Sequence, residues 1–378
     1  MTPKTSQSGG ISNSDFLIIG AGIAGISAGA RLSADASVTV LETEKSIGYH
    51  STGRSAAMII RNYGNATLRA LNAASFPFLE NPVGVSDYSL LSPRGELMIA
   101  NDSELPNLHA YLEGSSGVET LTASQAAEIV PILRADRIAG AAVEWDAQEI
   151  DVDRMLQGFA RMLRSNAGQI VTDAAAAIIT RKNRMWHVTT KQGEFSAPML
   201  INAAGGWADR VAELAGVTPK GIQAMRRSAA LIPPPEGYDI SKWPLFVSAA
   251  ENWYAKPESG QLMVSPAEED HVDAHDVWAK DMVLAEGIER YQQMVTTPVT
   301  RISHTWAGIR CFAPDRTLVV GFAPDTEGFF WLAGQGGYGI QTAAAVSELV
   351  ADLCLERDTG LDTQIVAALD AGRFAKTL

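Results

Sequence analysis

Read as apolar and polar positions, the chain separates into distinct kinds of segment. Four short apolar runs, Phe16–Ile19, Ser37–Leu41, Met199–Ala203 and Phe329–Ala333, are bounded by small, polar or glycine-rich residues. Runs of this length and character predict buried strands. A helical pattern follows three of them, over Ile23–Leu32, Trp207–Ala215 and Ile340–Leu355. The stretch IDVDRMLQGFARMLRSNAG predicts another helix: Leu156, Phe159, Ala160 and Leu163 make one apolar face, and Asn166 and Gly168 end it. RRSAALIPP, WPLFVSAAENWYAKP and QLMVSPAEE are strand-like stretches bounded by prolines.

Composition narrows the class. A chain of 378 residues that is 46% hydrophobic is long enough for about two domains. Its formal charge of −13 repels phosphate backbones and argues against nucleic acid as a partner. The two cysteines, Cys311 and Cys354, form no metal-type spacing and no disulfide framework, so no metal site is expected. The opening MTPKTSQSGGISNS is polar and reads as a flexible tail rather than a signal peptide. No apolar run approaches the ~18 residues of a membrane span. These features predict a soluble, cytoplasmic protein.

Three glycine-rich turns carry the chemistry. Behind the first apolar run, Gly20, Gly22 and Gly25 make G-x-G-x-x-G, and the second run ends on Glu42, roughly twenty residues beyond Gly20. Gly20 permits a tight turn, Gly22 lets a pyrophosphate touch the backbone, and Gly25 lets helix and strand approach. The helix N-terminus at Ile23 and Ala24 faces the phosphate charge, and Glu42 takes ribose hydroxyls while repelling a 2′-phosphate. This arrangement serves NAD or FAD alike; its place at the start of the chain favours FAD. A second turn, Gly334–Gly339, opens the helix that begins at Ile340, where negative charge on a reduced flavin would be stabilised. The third, Gly205–Gly206, reads by itself as an ordinary strand-to-helix turn.

IIGAGIAG, GYHSTGRSAA, LLSPRGE, INAAGGWAD, RRSA, HTWAGIR and FFWLAGQGGYGIQT run in order through nearly the whole chain. In them the chain resembles the FAD-dependent D-amino-acid oxidase family, and looks most like its bacterial D-arginine dehydrogenases. The resemblance implies an α/β fold. A Rossmann-like FAD-binding domain of the glutathione-reductase type would take residues 14–75, 150–224 and 310–378. A substrate domain built on an antiparallel sheet would take 76–149 and 225–309, and 1–13 would be the tail.

The resemblance also distributes roles. Ser51, Thr52, Arg54 and Ser55 would offer N–H groups and hydroxyls to a non-covalently bound FAD, with Ala56, Ala57 and Met58 as a wall beside its ring. Val171, Gly205, Trp207, Gly336, Gly337, Tyr338, Gly339, Ile340 and Gln341 would complete the cofactor site. Tyr63 would reach the substrate from a mobile segment around Ile59–Gly64. Arg310 and Arg227 would grip a carboxylate, since a guanidinium meets it in two parallel charge-assisted bonds; Tyr254 would assist. Arg226 reads as a solvated surface arginine. Gly337 and Gln341 would line the amine side, and Glu96 would favour a cationic side chain, although alone it reads as an exposed strand-end glutamate. Met58 departs from the pattern: the D-arginine enzymes carry a histidine there.

The implied reaction passes the Cα hydride of a D-amino acid to flavin N5, leaving an imino acid that hydrolyses to a 2-oxo acid and ammonia. The alternatives are oxidation of another amine or N-alkyl amino acid, in the manner of sarcosine or glycine oxidases, and a flavin-binding subunit without turnover. The electron acceptor stays open among quinone, carrier protein and oxygen. Sarcosine oxidases hold flavin through a cysteine near the region of Cys311, but the spacing to Pro314 and Asp315 differs here, so no covalent link is expected.

Overall fold

The computed structural model describes residues 12–376. The four apolar runs become the strands Phe16–Ile19, Val38–Leu41, Met199–Asn202 and Phe329–Ala333. They form the centre of a six-stranded sheet, with Gln169–Val171 beyond Val38–Leu41 at one edge and Val319–Phe322 at the other. All neighbours run parallel except the last pair. Both faces are covered, which is why these strands are apolar throughout. Ile18 and Val40 pack towards the helices Ile23–Leu32, Val152–Ser165 and Gly339–Cys354. Leu17, Ile19 and Leu41 pack the other way, in a cluster with Trp186, Val188 and Phe195 from a four-stranded sheet.

Local signals explain the helices. Val152–Ser165 starts where the Asp151 side chain accepts the Arg154 N–H at 2.9 Å, and it buries Met155, Leu156, Phe159, Ala160 and Leu163. Ser12 and Asn13, assigned from sequence to the tail, instead pair in parallel with Phe195 and Ser196. The rest of that assignment, 1–11, lies outside the described residues.

A nine-stranded, largely antiparallel sheet holds Glu96–Ala100 between Gly140–Glu144 and Leu245–Ser248, the last pairing being parallel. Its long strands Gln223–Ile232 and His304–Phe312 pair antiparallel from Gln223 opposite Phe312 to Leu231 opposite His304. They run across the boundaries expected near 224 and 309 and belong throughout to the nine-stranded sheet.

Strand alternation also corrects the reading of Arg226. Successive side chains on Gln223–Ile232 point to opposite faces. Arg226 is therefore sent inward, 3% exposed, where it pairs with Asp270 and lies 3.7 Å from Glu268. Among the described residues, no helix is long and apolar enough to cross a membrane.

Candidate active site

The first glycine turn is fixed by close approach. Gly20 has φ +105°, and a Cβ there would lie 2.4 Å from the Ala203 carbonyl oxygen. A Cβ on Gly25 would lie 1.9 Å from the Gly20 carbonyl oxygen. Gly25 is thus a packing residue and does not line the cavity, whereas Gly20, Gly22, Ile23 and Ala24 do. The helix Ile23–Leu32 has no side-chain cap, so its N-terminal N–H groups form an anion site. One of them, Ile23 N–H, donates to Thr52 Oγ1 at 3.0 Å. Glu42 is held at the strand end by the N–H groups of Ala21 and Glu44, at 2.7 and 2.9 Å from its two oxygens.

These residues line a cavity of about 560 Å³ that continues past Ser51, Ser55 and Ala56 to the second glycine turn at Gly336, Gly337, Gly339 and Ile340. Gly205 and Trp207 of the third turn also line it, as do Tyr49 and His50, which precede Ser51 in its loop. His50 lies 3.0 Å from Glu44 and packs on Trp207 with ring centroids 4.6 Å apart.

On the cavity wall, the side chains of Arg54, Ser51 and Ser55 are engaged with protein groups, while Val171 and Tyr338 lie off it. The Arg54 guanidinium donates to Asp276 at 2.6 Å and to the carbonyls of Ala307 and Val277, so its charge ties the loop to the neighbouring sheet. Ser51 Oγ donates to the Ile309 carbonyl at 2.6 Å, and Ser55 Oγ accepts the Ala57 N–H. Val171 lies in the edge strand, its carbonyl accepting the Glu42 N–H at 2.9 Å, and Ala175, Ala176 and Ala177 take the place on the wall. Tyr338 is 7% exposed and packs behind the wall against Tyr63 and Phe312.

A smaller chamber of about 100 Å³ adjoins the cavity. Met58, Tyr63, Glu96, Arg227, Tyr254, Arg310, Gly337 and Gln341 all line it: Glu96, Arg227, Tyr254 and Arg310 come from the nine-stranded sheet, Met58 from the short strand Met58–Ile59, and Gly337 and Gln341 from the second glycine turn and its helix. Arg227, Tyr254, Arg310 and Gly337 line both spaces and so mark their junction. Arg310 comes from His304–Phe312, and the sole hydrogen bond from its guanidinium among the described residues is a long one, 3.4 Å to the Tyr63 hydroxyl. A Cβ on Gly337 would lie 2.7 Å from an Arg310 guanidinium nitrogen, so the glycine makes room for that group. Arg227 is already engaged with the Glu268 carbonyl at 2.8 Å and the Glu269 carboxylate at 3.0 Å. Burial, then the charge of Arg310, lower its pKa. Burial raises the pKa of Tyr63, which keeps its phenol neutral.

The segment from Ile59 to Gly64 is anchored. Asn62 donates to Glu144 at 2.7 Å and to the Ser116 carbonyl at 3.0 Å, and Asn72 donates to the carbonyls of Ile60 and Tyr63. Within it the polar Asn62 is 5% exposed.

Glu96 is 7% exposed and faces Glu144 across the strand pair. The Tyr111 hydroxyl lies 3.2 Å from Glu96 and 3.1 Å from Glu144. Burial, reinforced by the charge of Glu144, raises the Glu96 pKa to about 8. Tyr111 and Glu251 also line the chamber and were missed; Tyr111 comes from the helix Leu105–Leu112, which sequence spacing does not connect to Glu96.

The groups around the larger cavity fit FAD: a tight glycine turn, two helix N-termini without side-chain caps, and an oriented carboxylate. Cys311 also lines it, but burial pushes its thiol up to about 12, which disfavours the thiolate that attachment to flavin would need. Acid or heat precipitation should therefore release all the FAD into the supernatant; yellow colour retained in the pellet would show a covalent bond.

Comparison with known proteins agrees with this geometry. The chain is 26% identical over 220 residues to FAD-dependent oxidoreductase domain-containing protein 1 of Xenopus laevis, covering 51% of this chain and 42% of that protein. It is 23% identical to glycine oxidase of Geobacillus kaustophilus over 92% of this chain and 94% of that one. The crystal structure of that oxidase superposes with a TM-score of 0.81 at 20% identity, covering 96% and 99% of the two chains. L-proline dehydrogenase from P. horikoshii superposes with a TM-score of 0.82 at 22% identity, covering 97% and 98%. These likenesses share the mixed α/β fold. The family profile described as FAD dependent oxidoreductase matches residues 15–353, so the chain belongs to that family and FAD is its cofactor.

Proposed function

We propose that the protein oxidises D-amino acids with a basic side chain, of the D-arginine or D-lysine kind, at the Cα–N bond. The observation that carries this reading is the pairing of an under-bonded guanidinium, Arg310, at the junction with the cofactor cavity, and a buried carboxyl, Glu96, that lines the chamber but not the cavity. Arg310, with Arg227 and Tyr254 beside it, holds the substrate carboxylate and so fixes which face of Cα meets the cofactor. Gly337 and Gln341 lie on the amine side. The bound FAD supplies an acceptor for the hydride equivalent of Cα–H. The amine must first give its proton to water, because an ammonium has no lone pair with which to form the C=N bond. Water then adds to the imino acid, yielding the 2-oxo acid and ammonia.

A second reading, oxidation of glycine or a small N-alkyl amino acid, is favoured by two observations. Glu96 carries a raised pKa and so is largely uncharged at neutral pH, and Met58, Met98, Leu245 and Val247 make the chamber wall apolar. The likeness to glycine oxidase agrees with it.

Anaerobic flavin bleaching decides between them. D-arginine and D-lysine should show kcat/KM at least about tenfold above D-leucine, since a shielded charge pair supplies a few kcal/mol. Glu96→Leu should remove most of that preference. Faster bleaching by glycine or sarcosine than by D-arginine would establish the second reading instead.

A further inference from the structure

We infer that Glu144 sets substrate choice by keeping on Glu96, against the opposing hydrogen bond of Tyr111, a proton that a cationic side chain must expel in order to bind. The inference rests on the basic-substrate reading above.

Hydrogen-bond counting leads to it. Glu96 and Glu144 stand opposite each other in register on antiparallel strands, and both are buried, at 7% and 2% exposure. Glu144 has donors of its own: the Arg61 N–H at 2.8 Å and the Asn62 amide at 2.7 Å. The Tyr111 hydroxyl has one proton and touches both carboxyls. No other donor reaches Glu96 among the described residues. Of the two acids, Glu144 therefore has the donors a carboxylate needs, and Glu96 is the one that holds a proton when the chamber is empty.

The surroundings agree from every side. Helix Leu105–Leu112 presents Tyr111, strand Gly140–Glu144 presents Glu144, and the parallel neighbour Leu245–Ser248 contributes Leu245 and Val247, which carry no charge. Glu251 adds a further negative group and raises the Glu96 pKa in the same sense. The cations of the chamber, Arg227 and Arg310, sit at the cofactor junction, with Tyr254 and Tyr63 also on the wall. A second feature marks the chamber as built for a polar ligand: Gln341 lines it, is 3% exposed, and has an Nε2 without a hydrogen-bond partner among the described residues.

The proton balance is simple. A guanidinium or ammonium arriving at Glu96 bonds far more strongly to a carboxylate than to the carbonyl oxygen of a neutral acid. The Glu96 O–H gives its proton to solvent, and the carboxylate so formed pairs with the cation. A neutral side chain leaves the proton in place. With an empty-site pKa of about 8, binding of a cation should strengthen as pH rises towards 8 and level off above it.

The test uses the FAD-loaded enzyme and two ligands that lack the α-amine and so cannot be oxidised: 5-guanidinopentanoate and its uncharged counterpart 7-methyloctanoate. Titration calorimetry at pH 7 in buffers of different ionisation enthalpy counts protons released on binding. The guanidino acid should release close to one proton and the methyloctanoate none. The Kd of the guanidino acid should fall about tenfold or more between pH 6.5 and 8.5. Glu96→Gln should abolish the release. Glu144→Gln, by removing a neighbouring negative charge, should move the midpoint of the pH dependence down. Tyr111→Phe, by removing the donor that favours the charged form, should move it up. A merely structural role for either residue would not shift the midpoint in opposite directions. Binding of the guanidino acid without proton release, or a midpoint unmoved in both variants, overturns the inference and leaves the basic-substrate reading standing. If 7-methyloctanoate binds and the guanidino acid does not, that reading itself fails, and the inference falls with it.

Discussion

Arg310→Met should lower the rate of flavin reduction by any amino acid by roughly two to three orders of magnitude, with FAD still bound. Losing one partner of a desolvated charged pair costs about 2–5 kcal/mol, and each 1.4 kcal/mol is tenfold. Arg310 is the residue to change because, among the described residues, its guanidinium bonds only to Tyr63, whereas Arg227 is committed to Glu268 and Glu269. Arg310→Lys should also be poor: a lysine supplies the charge but loses the planar fork. The experiment is single-turnover reduction in the stopped-flow, with the flavin absorbance recording cofactor content. Reduction of the Met variant at the wild-type rate would show that the carboxylate is held elsewhere.

Gly25→Ala should give a protein without FAD. The added Cβ would fall 1.9 Å from the Gly20 carbonyl oxygen, and that atom belongs to the turn that must receive the pyrophosphate. Backbone cannot yield as a side chain end can, so the helix Ile23–Leu32 must move off the sheet and take its N-terminus with it. The overpacking itself costs about 1–3 kcal/mol of stability or more. Gly360→Ala serves as the control, since a Cβ there meets nothing within 4 Å. Flavin content per chain and the thermal midpoint are the readouts. A yellow Gly25→Ala protein with a wild-type midpoint would contradict the packing role.

The D-amino-acid reading and the proton held on Glu96 make different demands on the chamber, and their tests are independent of these two. A variant that loses FAD reports on the large cavity alone. Arg310→Met reports on the junction, and the calorimetric proton count reports on the chamber beyond it.

Short-range physics is what made part of this protein legible in its sequence. Phe16–Ile19, Gly20, Gly25 and Glu42 lie within one strand–turn–helix–strand unit, so apolar runs, glycine spacing and a terminal acid were enough to place a nucleotide-binding turn. Phe329–Ala333 and the helix that follows its glycine loop were equally plain, as was Val152–Ser165, since its apolar face recurs at helical spacing. Arg226 and Arg227, by contrast, are neighbours of one type, and only the strand pairing decides which of them lines the chamber and which is buried against Asp270. Arg54 has the chemistry of a phosphate ligand, yet a sheet strand and Asp276 capture its guanidinium across more than two hundred residues of chain. Tyr111 and Glu144 carry no motif at all. They matter because a helix and a strand distant in sequence bring one hydroxyl between two buried carboxyls, and burial turns an ordinary acid into one that holds its proton. The cofactor turn is legible in the chain because its parts are local; the charges of the chamber emerge only in the fold, because desolvation and cross-strand register belong to the assembled structure.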